Sequence, residues 1–167
     1  MRMMVTGANG FVGHAVWQRL IAMSGVQAVG SVRLAAAFTD TGASVVAVGD
    51  LSAQTDWSEA LAGVEAVVHT AARVHVMDDT AADPLTEFRR VNVEATWNLA
   101  RQSAAVGVKR FVFISSVKVN GEATLPGRPF TADDIPAPLD PYGVSKMEAE
   151  QRLHQIAAET GMVVVII

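Results

Sequence analysis

The chain has 167 residues and a net charge of −4; half of the residues are hydrophobic and 18% are charged. That length suits one domain with a real core, and that balance excludes a disordered tail. The thirteen Lys and Arg residues are scattered, which argues against a nucleic-acid surface, and the absence of cysteine excludes disulfides, thiolate metal ligands and a cysteine nucleophile.

Strand residues Arg2 to Thr6 run directly into Gly7-Ala8-Asn9-Gly10-Phe11-Val12-Gly13, and a helical period follows from Phe11 to Met23. A glycine turn between strand and helix puts bare backbone at a helix N-terminus, where amide groups and the helix dipole favour phosphate. Gly7 would permit the tight turn, Gly10 would let a dinucleotide pyrophosphate approach, and Gly13 would let the helix lie close on the sheet. Ala8, Asn9 and Gly10 are expected to supply the amide donors. The spacing is G-x-x-G-x-x-G, not the G-x-G-x-x-G of the common dinucleotide fingerprint.

The second strand, Val26 to Val32, ends at Arg33. An NAD site usually carries an acid there for the adenosine ribose, whereas an arginine accommodates a 2′-phosphate. Arg33 suits a 2′-phosphate or a stacked adenine, and its plain alternative is a solvated surface arginine, so NAD and NADP both remain open.

Further strands are expected at Ser44 to Val48, Ala66 to His69, Arg110 to Ser115 and Met162 to Ile167, with helices at Leu85 to Ala105 and Pro141 to Thr160. Gly25, Gly107 and Gly161 fall at or near the helix ends. Ala72 to Pro84 and the proline-rich Gly121 to Asp140 resist regular structure, and long loops in such domains are often functional. Strands alternating with helices predict an α/β fold, a doubly wound parallel sheet with helices on both faces. The chain stops on its most hydrophobic strand and reads as truncated. Met162 to Ile167 is also the longest apolar run, far too short to span a bilayer, and the first residues lack the apolar core of a signal peptide; a cytoplasmic location without membrane contact is expected.

Tyr142 and Lys146 stand at i and i+4, on one face of the predicted helix, with Asp140 suited to the N-cap and Pro141 to the first helical position. A free phenol is a poor base at neutral pH, but a neighbouring ammonium favours its ionised form. Ser115 and Ser116 end the fifth strand, and the carboxyl ends of strands line the ligand crevice in this architecture. Tyr142 is the single tyrosine of the chain.

The pieces VTGANGFVG, VVHTAA, VNVEAT, FVFISSVKVNG and PYGVSKMEAE, in that order across nearly the whole chain, resemble the extended short-chain dehydrogenase/reductases. The likeness is to the NAD-dependent epimerase/dehydratase group, in its UDP-glucose 4-epimerase-like form. The resemblance implies a Rossmann fold over residues 1–167, a missing C-terminal substrate domain, and a catalytic triad of Ser116, Tyr142 and Lys146. It implies cofactor contacts at Gly7, Asn9, Gly10, Phe11, Val12, Gly13 and Arg33, at Asp50 and Leu51 around adenine, and at Thr70, Ala71 and Ala72 over the cofactor. Asn92 in the helix, and Tyr142 and Lys146 at the nicotinamide ribose, complete the implied NAD or NADP site.

By the same resemblance the chain acts on a nucleotide sugar, with epimerisation ranked first and NADP-dependent keto-sugar reduction second. Dehydration ranks low, because Val117 and Lys118 stand where that branch carries an acidic pair. A non-catalytic regulatory relative would usually lose the Tyr or the Lys. A homodimer is expected through a four-helix contact of the two long helices, to which Trp97 would belong unless it is ordinary core. His69 and His75 lack a ligand spacing, so no metal site is expected, and Asp78, Asp79 and Asp83 are expected to be solvated.

Overall fold

The computed structural model describes residues 1–34, 44–74 and 83–167. Six parallel strands form one sheet in the order β3-β2-β1-β4-β5-β6. They are β1 (Arg2–Thr6), β2 (Gln27–Val32), β3 (Ser44–Ala47), β4 (Ala66–His69), β5 (Arg110–Phe113) and β6 (Val163–Ile166). The helices are α1 (Phe11–Ile21), α2 (Pro84–Phe88), α3 (Ala95–Ala105) and α4 (Pro141–Thr160). This is the doubly wound α/β architecture expected from the sequence, with strand ends one or two residues shorter at β2, β3, β5 and β6.

The order reverses between β1 and β4, which pair from Met3↔Ala66 to Thr6↔His69. In such sheets a crevice opens beyond the carboxyl ends of the strands where the order reverses. Successive side chains on a strand face opposite sides, and the apolar residues divide accordingly. Met4, Val67, Phe111 and Phe113 pack with Leu99, Leu153 and Ile156 on the α3/α4 side. Val5, Val68, Ala28 and Val32 pack with Trp17 and Leu20 of α1 on the other.

The helix read as Leu85 to Ala105 is built in three parts, α2, a π-helical stretch Arg89–Glu94, and α3. Wider π turns admit an extra residue and often occur at functional sites; here the widened part turns Asn92 inward, to 1% exposure. Asp83 caps α2 by accepting from the Thr86 N–H at 3.2 Å, so this exposed acid has a structural task. Asp140 caps α4, Pro141 occupies its first turn, and Gly161 ends it at φ +74°. His75, Asp78 and Asp79 lie outside the described residues. No described helix is long and apolar enough to cross a membrane.

Candidate active site

The glycine turn is dictated by close approach. A Cβ on Gly13 would lie 2.1 Å from the Gly7 carbonyl oxygen and 2.6 Å from Thr70 Oγ1, so bare backbone is required for α1 to start against β1 and β4. Gly7 itself holds φ +64°, the left-handed region that favours glycine. Two of the three expected amide donors are engaged elsewhere. The Ala8 N–H donates to Ser31 O at 3.1 Å, and the Gly10 N–H closes the turn onto Gly7 O at 2.8 Å. Gly10 caps α1 without a side-chain hydrogen bond, which leaves the first-turn amides of Phe11 and Val12 beside Asn9 to face a ligand. A turn hydrogen bond of this kind cannot be read from glycine spacing.

Above the turn lies a cleft of about 650 Å³. It is lined by Gly7, Asn9, Gly10, Phe11, Val12 and Gly13 of the turn, by Arg33, Asp50 and Leu51 beyond β2 and β3, and by Thr70, Ala71 and Ala72 beyond β4. Phe11 is 97% exposed there. Arg33 and Asp50 face each other at 3.6 Å, both largely in solvent. An open cleft, an uncapped helix start and a guanidinium at the far end suit the pyrophosphate and adenosine of a nicotinamide dinucleotide. Ser116, Tyr142, Lys146 and Asn92 do not line this cleft.

Ser116 begins a 3₁₀ turn, Val117–Val119, after β5, and its hydroxyl accepts from the Lys118 N–H at 3.2 Å. The Ser116 side chain is near enough to the Tyr142 phenol to influence its ionisation. Burial, the largest influence, holds its pKa above the ordinary 10.0; Ser116 and Lys118 lower it, and Asp140 raises it. Lys118 is thus a cation beside the phenol that the i, i+4 spacing did not single out.

Lys146 is 2% exposed. Its ammonium donates to Ile114 O at 2.6 Å and lies 3.9 Å above the Phe113 ring. Burial brings its pKa down to about 8, against a smaller opposing effect of Glu150. Gly143 lets the two elements meet, because a Cβ there would stand 2.8 Å from Lys118 O. Lys118 also bonds the Asp140 carboxylate and reaches Glu122 at 3.4 Å. Its role was invisible in the sequence, where nothing marks a lysine after a strand as facing a residue 22 positions on.

A buried polar seam joins these regions. Thr6 Oγ1 accepts from the Thr70 and Ala71 N–H groups, each at 3.1 Å, and lies 2.7 Å from His69 Nδ1. Thr70 Oγ1 donates to Thr6 O at 2.6 Å. His69 Nε2 lies 2.8 Å from Thr96 Oγ1. The Asn92 amide, which the resemblance implies as a cofactor contact, bonds the backbone after β4 and the side chain of Ser145 in α4. It donates to Arg73 O at 3.0 Å and to Ser145 Oγ at 2.9 Å, and accepts from the Arg73 N–H at 2.8 Å. No group of three or more His, Asp or Glu side chains that could hold a metal occurs among the described residues.

The chain is similar to known proteins over nearly its whole length. The model of the NAD-dependent epimerase/dehydratase family matches residues 3–167. A UDP-glucose 4-epimerase of Vibrio cholerae is 48% identical over 164 residues, covering 98% of this chain and 49% of that protein. Among solved structures, a short-chain dehydrogenase/reductase superfamily protein of Agrobacterium tumefaciens with bound NAD superposes with a TM-score of 0.82 at 34% identity, covering 99% of this chain and 48% of that one. MoeE5 in complex with UDP-glucuronic acid and NAD gives 0.82 at 32% identity, covering 99% of this chain and 52% of that one. The chain therefore spans about half the length of the proteins it matches. The match from residue 3 to residue 167 makes this chain a member of the NAD-dependent epimerase/dehydratase family.

Proposed function

We propose that this chain is the dinucleotide-binding domain of an NAD(P)-dependent nucleotide-sugar epimerase. Ser116, Tyr142 and Lys146 would serve as its catalytic group, and the glycine turn, Arg33, Asp50, Leu51 and Thr70 to Ala72 as its cofactor cleft. What supports the reading is the nearness of the Ser116 side chain to the Tyr142 phenol, whose pKa it lowers, at the carboxyl edge of a sheet whose reversal point opens the cleft. The Vibrio cholerae relative supports the reaction class, and the UDP-glucuronic acid bound by MoeE5 supports a nucleotide sugar as the substrate class.

The nicotinamide, when bound, supplies a reversible two-electron acceptor for a hydride. The residues of the chain do the rest. Phe11 and Val12 amides and the α1 dipole would hold the pyrophosphate. Ser116 holds the substrate oxygen and Tyr142 takes its proton, a contribution of about 10²- to 10⁴-fold. Tyr142 must ionise first, against its burial, and Lys118 favours that form. Lys146 would turn from Ile114 O toward the nicotinamide ribose. Net reduction of a keto sugar, with Tyr142 as proton donor, is the second reading. A cytoplasmic homodimer through α3 and α4 is part of the proposal; within the chain Trp97 already carries the Arg152 guanidinium at 5.5 Å, and sedimentation of Trp97→Ala against the parent tests the dimer.

NAD is preferred because Asp50 engages Arg33 at 3.6 Å, so a 2′-phosphate would have to displace a carboxylate. Calorimetric titration with NAD⁺, NADH, NADP⁺ and NADPH tests the cleft, with Gly10→Glu as the blocked control. Saturable binding lost in Gly10→Glu is expected, and a folded parent chain that binds none of the four overturns the reading. Preference for the phosphorylated pair would favour the reductase.

A further inference from the structure

The Thr6 hydroxyl has one hydrogen and two lone pairs. Both lone pairs are occupied, because the Thr70 and Ala71 N–H groups each approach Thr6 Oγ1 at 3.1 Å. The remaining contact, 2.7 Å to His69 Nδ1, must then use the Thr6 hydrogen. His69 Nδ1 is therefore an acceptor, and the ring carries its proton on Nε2, which donates to Thr96 Oγ1 at 2.8 Å. A proton on Nδ1 would face a hydroxyl with no lone pair left.

From this geometry we propose that His69 is a positioning residue for the cofactor cleft. As the neutral Nε2–H tautomer it draws the Thr6 hydroxyl proton away from the cleft and aims both Thr6 lone pairs at the Thr70–Ala71 backbone. The segment so held lies against the glycine turn, with Ala71 Cα 3.1 Å from where a Gly7 Cβ would stand. Phe113 stacks on the ring at a centroid distance of 5.8 Å and Phe111 lies at 5.9 Å, and hydrogen bonds at both ring nitrogens fix its orientation. His69 touches neither substrate nor cofactor; it acts through Thr6. This extends the cofactor reading, on which its effect on binding depends, but the tautomer and the backbone hold do not.

The test uses the ¹⁵N-labelled chain. The imidazole spectrum at neutral pH, with His69 assigned by the peak missing in His69→Asn, should show an unprotonated Nδ1 and a protonated Nε2. Asn presents an oxygen where Nδ1 stood, whereas Gln reaches only the Nε2 position. Hydrogen exchange at Thr70 and Ala71 should accelerate about tenfold, the worth of roughly one hydrogen bond, in His69→Gln and Thr6→Val. His69→Asn and Thr6→Ser should restore protection. NAD⁺ affinity should follow the same split.

A His69 ring protonated at Nδ1, or unchanged Thr70 and Ala71 protection in Thr6→Val, overturns the proposal even if His69→Gln does not fold. If the parent chain binds no nucleotide, the cofactor reading fails, and the spectrum and exchange still decide the role of His69.

Discussion

Lys118 and Asp140 form an ion pair that fastens the serine turn to the head of the tyrosine helix. Asp140 uses its other oxygen, Oδ1, to accept the Gly143 N–H at 2.6 Å. One carboxylate thus caps α4 and docks the turn that carries Ser116.

Removing the cation leaves Asp140 facing the Tyr142 phenol unscreened. In Lys118→Met the Tyr142 pKa should rise, and in Asp140→Asn, which keeps a capping oxygen, it should fall. Because the chain has one tyrosine, phenolate absorbance during a pH titration reads this group alone. Identical titration curves in parent and Lys118→Met would reject the electrostatic role of Lys118.

Gly13→Ala should be among the most damaging substitutions in the chain. The new methyl would meet the Gly7 carbonyl oxygen at 2.1 Å, and neither backbone can yield without parting α1 from β1. A loss of roughly 3 kcal/mol, the upper end for overpacking, is expected in urea unfolding, together with loss of dinucleotide binding.

The sheet, the helix caps and the glycine turn were legible in the sequence because they follow from local rules. Alternation of strand and helix predicted the fold, and Asp140, Pro141 and Gly161 marked the ends of α4. Less legible was anything decided by hydrogen-bond competition across the fold. Gly10 and Ala8 satisfy the backbone before any phosphate arrives, and Asn92 lies in a π-helical stretch that a plain 3.6-residue period does not foresee. His69 read as the end of a strand, and its partners Thr6 and Thr96 stand 63 and 27 positions away.

Lys146 binds its proton less tightly folded than unfolded, burial having brought it from 10.5 to about 8. The unfolded chain therefore holds more protons between those values, and stability should rise with pH across the window. The slope approaches about 1.4 kcal/mol per pH unit. Near pH 10 it should weaken, as Tyr142, held above its ordinary 10.0, begins to act in the opposite sense. Lys146→Met should flatten the rise in urea midpoints measured from pH 7.5 to about 10.

His69 predicts the acid limb. Burial, and secondarily Lys146, lowers its pKa from 6.5 to about 3. The groups around the ring are Thr6 of β1, Phe111 and Phe113 of β5 and Thr96 of α3, with Lys146 of α4 the charge acting on it. Its neutral form contributes stability in full above pH 6.5, and that contribution is lost as pH falls toward about 3. His69→Asn should lessen the pH dependence of unfolding over this range; an unaltered acid limb would remove His69 as its source.

The Asn92 amide has a consequence for how such a protein can diversify. It clasps the backbone after β4 on one side and Ser145, one helical turn beyond Tyr142, on the other. The backbone after β4 and the helix bearing the phenol are thus spaced by one hydrogen-bonded amide. Loops away from this seam, such as Gly121 to Asp140, can exchange residues and lengths while the Asn92 contacts keep the glycine-turn side and the α4 side in a fixed relation.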